Sequence, residues 1–454
     1  MSSTYLSFGP TTGTNQKIFT FSLWFKRSGL GTSQWLVEGY GGGSFNTSIY
    51  LSGGNALVVF DEASTTTVAT SRLFRDTNAW YNAVVAVDTT QSTASDRIKI
   101  YINGVQETSF SSSNYPAQNS NFYMTGNVVS YYIGKRHSGD YFDGSISHVH
   151  QVDGIAYVPT TFGETDATTG EWKIKTSPTI SDYGNNGYFI LKDGNSVTDQ
   201  SGKGNNWTVG GGTLTNTEDS PSNVFATLNP LDMYYGNSTL SNGNNTQNQS
   251  ASSGNYAFIP STLGFNSGKW YWEMKCVSGH SDNWYGTGIT SNTAGGDNHW
   301  LGSFSNDYGM YGYSYGGGLG SSYTGGTRTN QGLSFTAGDI IGVAVDCDNL
   351  AIYFSKNGTW MSNASSVQCV PTSGSSKTGN FYTITAPSST SIGFYFPALC
   401  YFDAQTAVQS INFGNGYFGT TAVSSAGTNA SGNGIFEYDV PTGYTALSTK
   451  GLNL

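Results

Sequence analysis

The sequence predicts an all-β protein: two antiparallel β-sandwiches in tandem, with almost no helix. Composition carries the first part of this. Glycine supplies 60 of 454 residues, Phe, Tyr and Trp make up 14%, and charged residues are only 11%, against a usual ~25%. A chain so rich in aromatics is not disordered, and one so poor in Glu, Lys and Arg is not a helical bundle or coiled coil. Patterning carries the rest. Apolar residues recur at every second position in short runs, and turn-forming Gly, Asn, Asp and Pro separate those runs.

The first strand is Phe19–Phe25, with Phe19, Phe21, Leu23 and Phe25 on one face. Trp80–Asp88 follows. Ile98–Ile102 alternates strictly and meets Asn103-Gly104, the strongest short-range hairpin signal because a type I′ turn needs two positive φ angles. Tyr131–Gly134 and Ser145–His150 add two strands. From Tyr157 to Ser222 the texture changes, with Pro159, Pro178 and Pro221 as punctuation. Within it Gly187–Leu191 and Asn206–Val209 read as short strands around a turn at Asp199–Asn205. A structureless loop of that length is improbable, so the region closes the first domain and connects it to the next. The predicted boundaries are 1–210 for the first domain, 211–224 for a linker and 225–454 for the second.

In the second domain Gly268–Met274 is a strand with Trp270, Trp272 and Met274 on one face. Gly338–Asp346 reads as a buried strand. Ile352–Ser355 leads into a Lys356-Asn357-Gly358 turn, and Ser391–Leu399 and Gln409–Gly414 complete the set. Short strands at this spacing suggest a sandwich. Thr420–Gly434 reads as a low-complexity insertion.

The net charge is −10. No basic cluster suited to phosphates appears, which excludes nucleic acid as a partner, and no apolar run approaches the ~20 residues that span a bilayer. Met1–Tyr5 carries neither a basic stretch nor an apolar core, so no secretory signal is expected. Cys276, Cys347, Cys369 and Cys400 form no C-x-x-C pair and are expected as buried thiols.

The second half resembles the SPRY domain, an interaction module. The resemblance rests on Gly268-Lys269-Trp270-Tyr271-Trp272-Glu273, Gly286–Ile289, Tyr311-Gly312-Tyr313, then Gly338–Asp346 running into Asp348-Asn349 and Ile352–Gly358, and finally Pro397-Ala398 and Asn412-Phe413-Gly414. It covers about residues 225–420. The first half resembles the laminin-G/concanavalin-like jelly roll through Phe21–Arg27, Trp80-Tyr81-Asn82, Ile100–Val105, Ile133-Gly134, Phe142–Ile146 and Asp153-Gly154. The connector phrases Phe162-Gly163-Glu164, Gly187-Tyr188-Phe189, Asp199–Trp207 and Asp219–Pro230 resemble tailed-bacteriophage virion proteins, in which a concanavalin-like domain precedes a SPRY-like one. The resemblance implies a tail or head-surface protein made in the host cytoplasm, with other virion proteins and host-surface polysaccharide as partners. A homo-oligomer stays open, since no heptad segment enforces one.

The residues themselves favour binding over catalysis. Retaining glycosidases need two carboxyls about 5–5.5 Å apart. The one Glu-x-Asp in the concanavalin-like half is Glu164-Thr165-Asp166, where Glu171 breaks the alternation and Thr168-Thr169-Gly170 reads as a turn, so no catalytic residue is assigned. His137, His148, His150, His280 and His299 offer no nucleophile constellation. His148 and His150 share a strand face and read as surface polar residues. Asp346-Cys347-Asp348-Asn349 lacks the Gly and Glu of an EF-hand loop and takes no metal. No cofactor is assigned; calcium in the first domain, near Asp61, Asp140 and Asp143, is the one exception left open.

Sugars stack on aromatic rings and hydrogen-bond to Asn, Asp, Ser and backbone groups. Residues 282–328 carry Trp284, Trp300, Tyr308, Tyr311, Tyr313, Tyr315 and Tyr323 among many Gly and Ser. The expected ligand-binding residues are Trp284, Asp297, His299, Trp300, Tyr315 and Tyr323. Tyr311 and Tyr313 read as sheet packing, and a loop anchor on the sandwich rim is the competing role for Trp300. The same Tyr/Ser/Gly/Asn richness also suits adaptable protein-binding loops. The expected function is therefore a non-enzymatic virion protein of tail-fibre or receptor-binding type. A purely architectural capsid or tail decoration protein is the alternative, and a polysaccharide depolymerase a more distant one.

Overall fold

The structure is a computed structural model that describes residues 3–126, 128–192, 194, 196–233, 238–249, 256–279, 282–293, 300–314, 319–372, 374, 379–402 and 406–453. The chain divides into two compact units, Met1–Asn216 with Ser220–Ser222, and Thr217–Asp219 with Asn223–Leu454.

The first unit is a sandwich of an eight-stranded and a six-stranded antiparallel sheet. At the centre of the smaller sheet Ile18–Arg27 pairs with Trp80–Asp88 on one side and with Gly144–Asp153 on the other. Phe19, Phe21, Leu23 and Phe25 are at most 1% exposed, as their alternation predicts. They meet Leu36, Ile49, Leu57, Val59 and Val68 from the larger sheet. The Asn103-Gly104 turn has φ of 48° and 79°, the positive pair a type I′ hairpin requires.

A register shift interrupts the strand Gly144–Asp153. Between Ser147, opposite Trp24, and His150, opposite Ser22, the register shifts, and His148 has φ 49°. Two residues there oppose one, a β-bulge that re-aims the side chains beyond it. His150 is nevertheless no surface residue: it lies with Val152 on the sheet face turned away from the main core, and Phe162, Tyr183 and Phe189 cover that face. His150 is 3% exposed, its ring lies 3.8 Å from that of Phe189, and its Nδ1 is 3.0 Å from the Tyr183 hydroxyl. Burial pushes its pKa well below the ordinary value.

The second unit pairs a nine-stranded with a six-stranded sheet. Trp270, Trp272, Met274 and Cys276 on the strand Lys269–Ser278 form the inner face. All four cysteines are buried and free. Nearly every pairing is antiparallel; Thr445–Ala446 runs parallel to Trp270-Tyr271. Helix is confined, among the described residues, to Thr449–Leu452 and three short 3-10 turns.

The low-complexity stretch is an ordered cover rather than an interruption. Asn433 Nδ2 donates to Thr445 Oγ1 and Ser448 Oγ at 3.0 and 3.1 Å, and Asn429 Nδ2 donates to the carbonyls of Asn433 and Gly434. Phe436, Val440, Tyr444 and Leu447 then join the core. Beneath this cover Glu273 is fully buried. Its carboxylate accepts the backbone N–H groups of Glu437 and Tyr438, both at 2.9 Å, and the Tyr271 hydroxyl at 3.0 Å.

Candidate functional site

The six-stranded sheet of the second unit positions the site. Its first three strands in space are Tyr256–Pro260, Phe396–Phe402 and Tyr285–Thr290, with Tyr308–Tyr311 and Ser321–Thr324 next. Alternation sends Ile259, Leu399 and Tyr401 into the main core and Phe258, Ala398 and Cys400 to the opposite face. On that outer face the register lines up four aromatic residues. Tyr256 stands opposite Phe402. Tyr285 opposes Tyr401 and Gly286 opposes Tyr311, which sets Trp284 between Phe402 and Tyr313. Ring centroids are 4.3 Å apart for Tyr256–Phe402, 5.1 Å for Phe402–Trp284 and 3.9 Å for Trp284–Tyr313. The four rings form a row running across the strands.

Trp300 lies over the sheet beside the row. Its indole stacks on Tyr256 at 5.5 Å and meets the Tyr323 ring edge-on at 4.9 Å. The loop that carries it is held by Asp307, whose carboxylate accepts Thr290 Oγ1 and the backbone N–H groups of Gly302 and Phe304. Glycine provides the floor. A Cβ on Gly286 would lie 2.5 Å from the Tyr311 ring, and one on Gly309 would lie 2.9 Å from Leu301. Tyr311 is buried and donates its hydroxyl to the Leu301 carbonyl at 2.8 Å.

Tyr256, Trp284, Trp300, Tyr313, Tyr323 and Phe402 are all half-buried. Among the described residues the indole N–H groups of Trp284 and Trp300 and the Tyr256 hydroxyl make no hydrogen bond, and none of the three atoms is sealed from solvent. Burial pushes the Tyr256 phenol up to about 12, so it keeps its proton as a donor. Trp284 and Tyr313 lie face to face at 10°, so this pair presents its ring edges.

The structure thus gathers Trp284, Trp300 and Tyr323 from the expected residues. Asp297, His299 and Tyr315 lie outside the described residues. Tyr256 and Phe402 escaped the sequence reading. Their signal is cross-strand register, which a single strand does not display.

The other constellations have structural partners. Glu164 and Asp166 sit on an exposed hairpin and both pair with Lys173, at 3.6 and 3.1 Å. Backbone N–H groups of Thr168 and Thr169 hold the Asp166 carboxyl at about 2. Asp61 accepts Thr47 Oγ1 and Ser64 Oγ, Asp140 faces Arg136, and burial pushes Asp143 up despite the Arg27 charge nearby. These three do not form a common ligand set, and no group of three His, Cys, Asp or Glu suited to a metal occurs among the described residues. Asp346 lies at a strand end, accepting the backbone N–H and Nδ2 of Asn349.

Comparison with known families agrees with this architecture. Residues 1–154 match the concanavalin A-like lectin/glucanase superfamily, and residues 269–394 match the SPRY domain. The chain carries a concanavalin-like domain followed by a SPRY domain. Among solved structures, the SPRY domain of human HERC1 is 18% identical, covering 40% of this chain and 96% of its own, with a TM-score of 0.30. A candidate carbohydrate-binding protein from Bacteroides ovatus is 15% identical, covering 46% and 56%, at 0.31. A pentraxin from Limulus polyphemus is 14% identical, covering 35% and 72%, at 0.26. No curated protein matches the chain. The aromatic row belongs to the second unit, with Trp284 and Tyr313 inside the residues matched to the SPRY domain and Tyr256 and Phe402 flanking them.

Proposed function

We propose that this is a non-enzymatic binding protein of a tailed-phage particle, and that the second unit's aromatic row contacts host-surface polysaccharide. The observation that carries the binding reading is the row itself: half-buried rings in register across adjacent strands, with three polar edges that have no hydrogen-bond partner among the described residues. Solvent-facing aromatic edges of this kind combine apolar contact with hydrogen bonding. A non-catalytic role is supported by Glu164 and Asp166, which sit on an exposed hairpin and share Lys173 as an ion-pair partner. The virion reading rests on the domain order and on the connector phrases around Asp199–Trp207 and Asp219–Pro230. It makes the protein a tail or head-surface component, synthesised in the host cytoplasm.

Two experiments test the proposal. Immunogold labelling of intact particles is expected to place the protein at the tail or on the head surface; absence from particles contradicts the virion reading. A glycan array with the purified chain is expected to show polysaccharide binding. A protein stoichiometric with a capsid or tail lattice that binds no glycan is instead an architectural decoration.

A further inference from the structure

We infer that the ligand of this face is a neutral, linear glycan held across the strands over several consecutive sugar units, with no pocket for a single sugar. The inference rests on the polysaccharide reading above and adds the ligand's charge, shape and length. Length comes from the register. Tyr256 and Phe402 on two neighbouring strands, and Trp284 and Tyr313 at the ends of the next two, line up across the sheet, and neighbouring strands lie about 4.8 Å apart, so the row spans about 14 Å. Trp300 lies over the sheet between Tyr256 and Tyr323, beside the row. A row of this length corresponds to roughly three to four sugar units at one strand spacing each.

Shape comes from ring orientation. Trp284 and Tyr313 stack on each other, as do Trp300 and Tyr256, at interplanar angles of 10° and 23°. Their shared faces are occupied, and the row offers edges. A pyranose cannot lie flat between such rings. Hydroxyls repeated along a chain can, however, accept successively from the Trp284 indole, the Tyr256 phenol and the Trp300 indole. Each contact is modest in net terms, so affinity has to accumulate with chain length. Charge comes from the side chains. No position in the row carries a charged group, and the donors are neutral N–H and O–H groups. An acidic polymer would need cations to replace its hydration.

The test uses the full chain with oligosaccharides of one to six units from β-1,3-glucan, β-1,4-mannan and β-1,4-galactan, and alginate as the acidic arm. Affinity is expected to rise through about four units and then level off, with monosaccharides failing to compete. Trp284→Phe and Tyr256→Phe keep the rings and remove one donor each, and each is expected to weaken binding about three- to tenfold with an unchanged melting profile. A monosaccharide that competes as well as a tetramer, or binding confined to alginate, overturns this inference and leaves the polysaccharide reading intact. No binding to any arm overturns both. Sedimentation showing self-association that Trp284→Phe abolishes makes the row an interface between copies and likewise overturns both.

Discussion

Replacing Glu273 by Gln in the SPRY domain is expected to remove a pH dependence of stability. The carboxyl is buried under the C-terminal cover, and desolvation raises its pKa from 4.5 to about 7, although the backbone N–H groups of Glu437 and Tyr438 and the Tyr271 hydroxyl oppose the rise. Because the folded-state pKa lies above the unfolded value, the stabilisation is fully present below about pH 4.5 and is lost as pH climbs through about 7. A rise of this size, at ~1.36 kcal/mol per pH unit, corresponds to about 3 kcal/mol. Glutamine never ionises, so its curve lacks that slope. It carries instead a fixed cost of about 1–3 kcal/mol, since its amide can accept from one of the two backbone donors and faces the other with its own N–H. Urea unfolding of the full chain between about pH 5 and pH 8 measures the difference. Hydrogen exchange in the strand Lys269–Ser278 identifies which transition belongs to the SPRY domain. The two proteins are expected to converge as pH rises. Curves that stay parallel across this range refute the argument that burial, rather than the three hydrogen bonds, governs this carboxyl.

Further outcomes follow from single contacts. Gly286→Ala places a methyl group 2.5 Å from the Tyr311 ring and is expected to cost about 1–3 kcal/mol; calorimetry should show a lowered SPRY transition. Burial pushes the Cys369 and Cys400 thiols up to about 11 and about 12, so all four cysteines should resist a thiol reagent in native buffer and react in denaturant. Asn433→Ala removes donors to Thr445 and Ser448. It should weaken the cover by about 2 kcal/mol and expose residues 415–440 to limited proteolysis.

Much of the fold was legible because local rules and tertiary demands agree. Phe19–Phe25 alternates because one of its faces is core, and the two Asn-Gly turns at 103–104 and 357–358 adopt the positive φ angles their residues favour. His150 was misread because the outer face of its strand is covered by Phe162, Tyr183 and Phe189 from the connector, and packing by a distant segment leaves no trace in a period-two count. The Thr420–Gly434 stretch lacked apolar spacing because its order comes from side-chain amides bonded to backbone carbonyls and to hydroxyls, above all Asn429 and Asn433. The candidate site was half legible. Trp284 and Trp300 stand out in a Gly-rich segment. Tyr256 and Phe402 become site residues only when three strands are paired, and pairing between strands this far apart in sequence leaves no local trace.

The central claim is that the second unit's aromatic row is the contact surface for polysaccharide. It is tested most directly by titrating purified host-envelope polysaccharide into the wild-type chain and into a Trp284→Ala/Trp300→Ala variant shown by calorimetry to remain folded. The account predicts saturable binding by the wild type and its loss in the variant. Equal binding by the two proteins would contradict it.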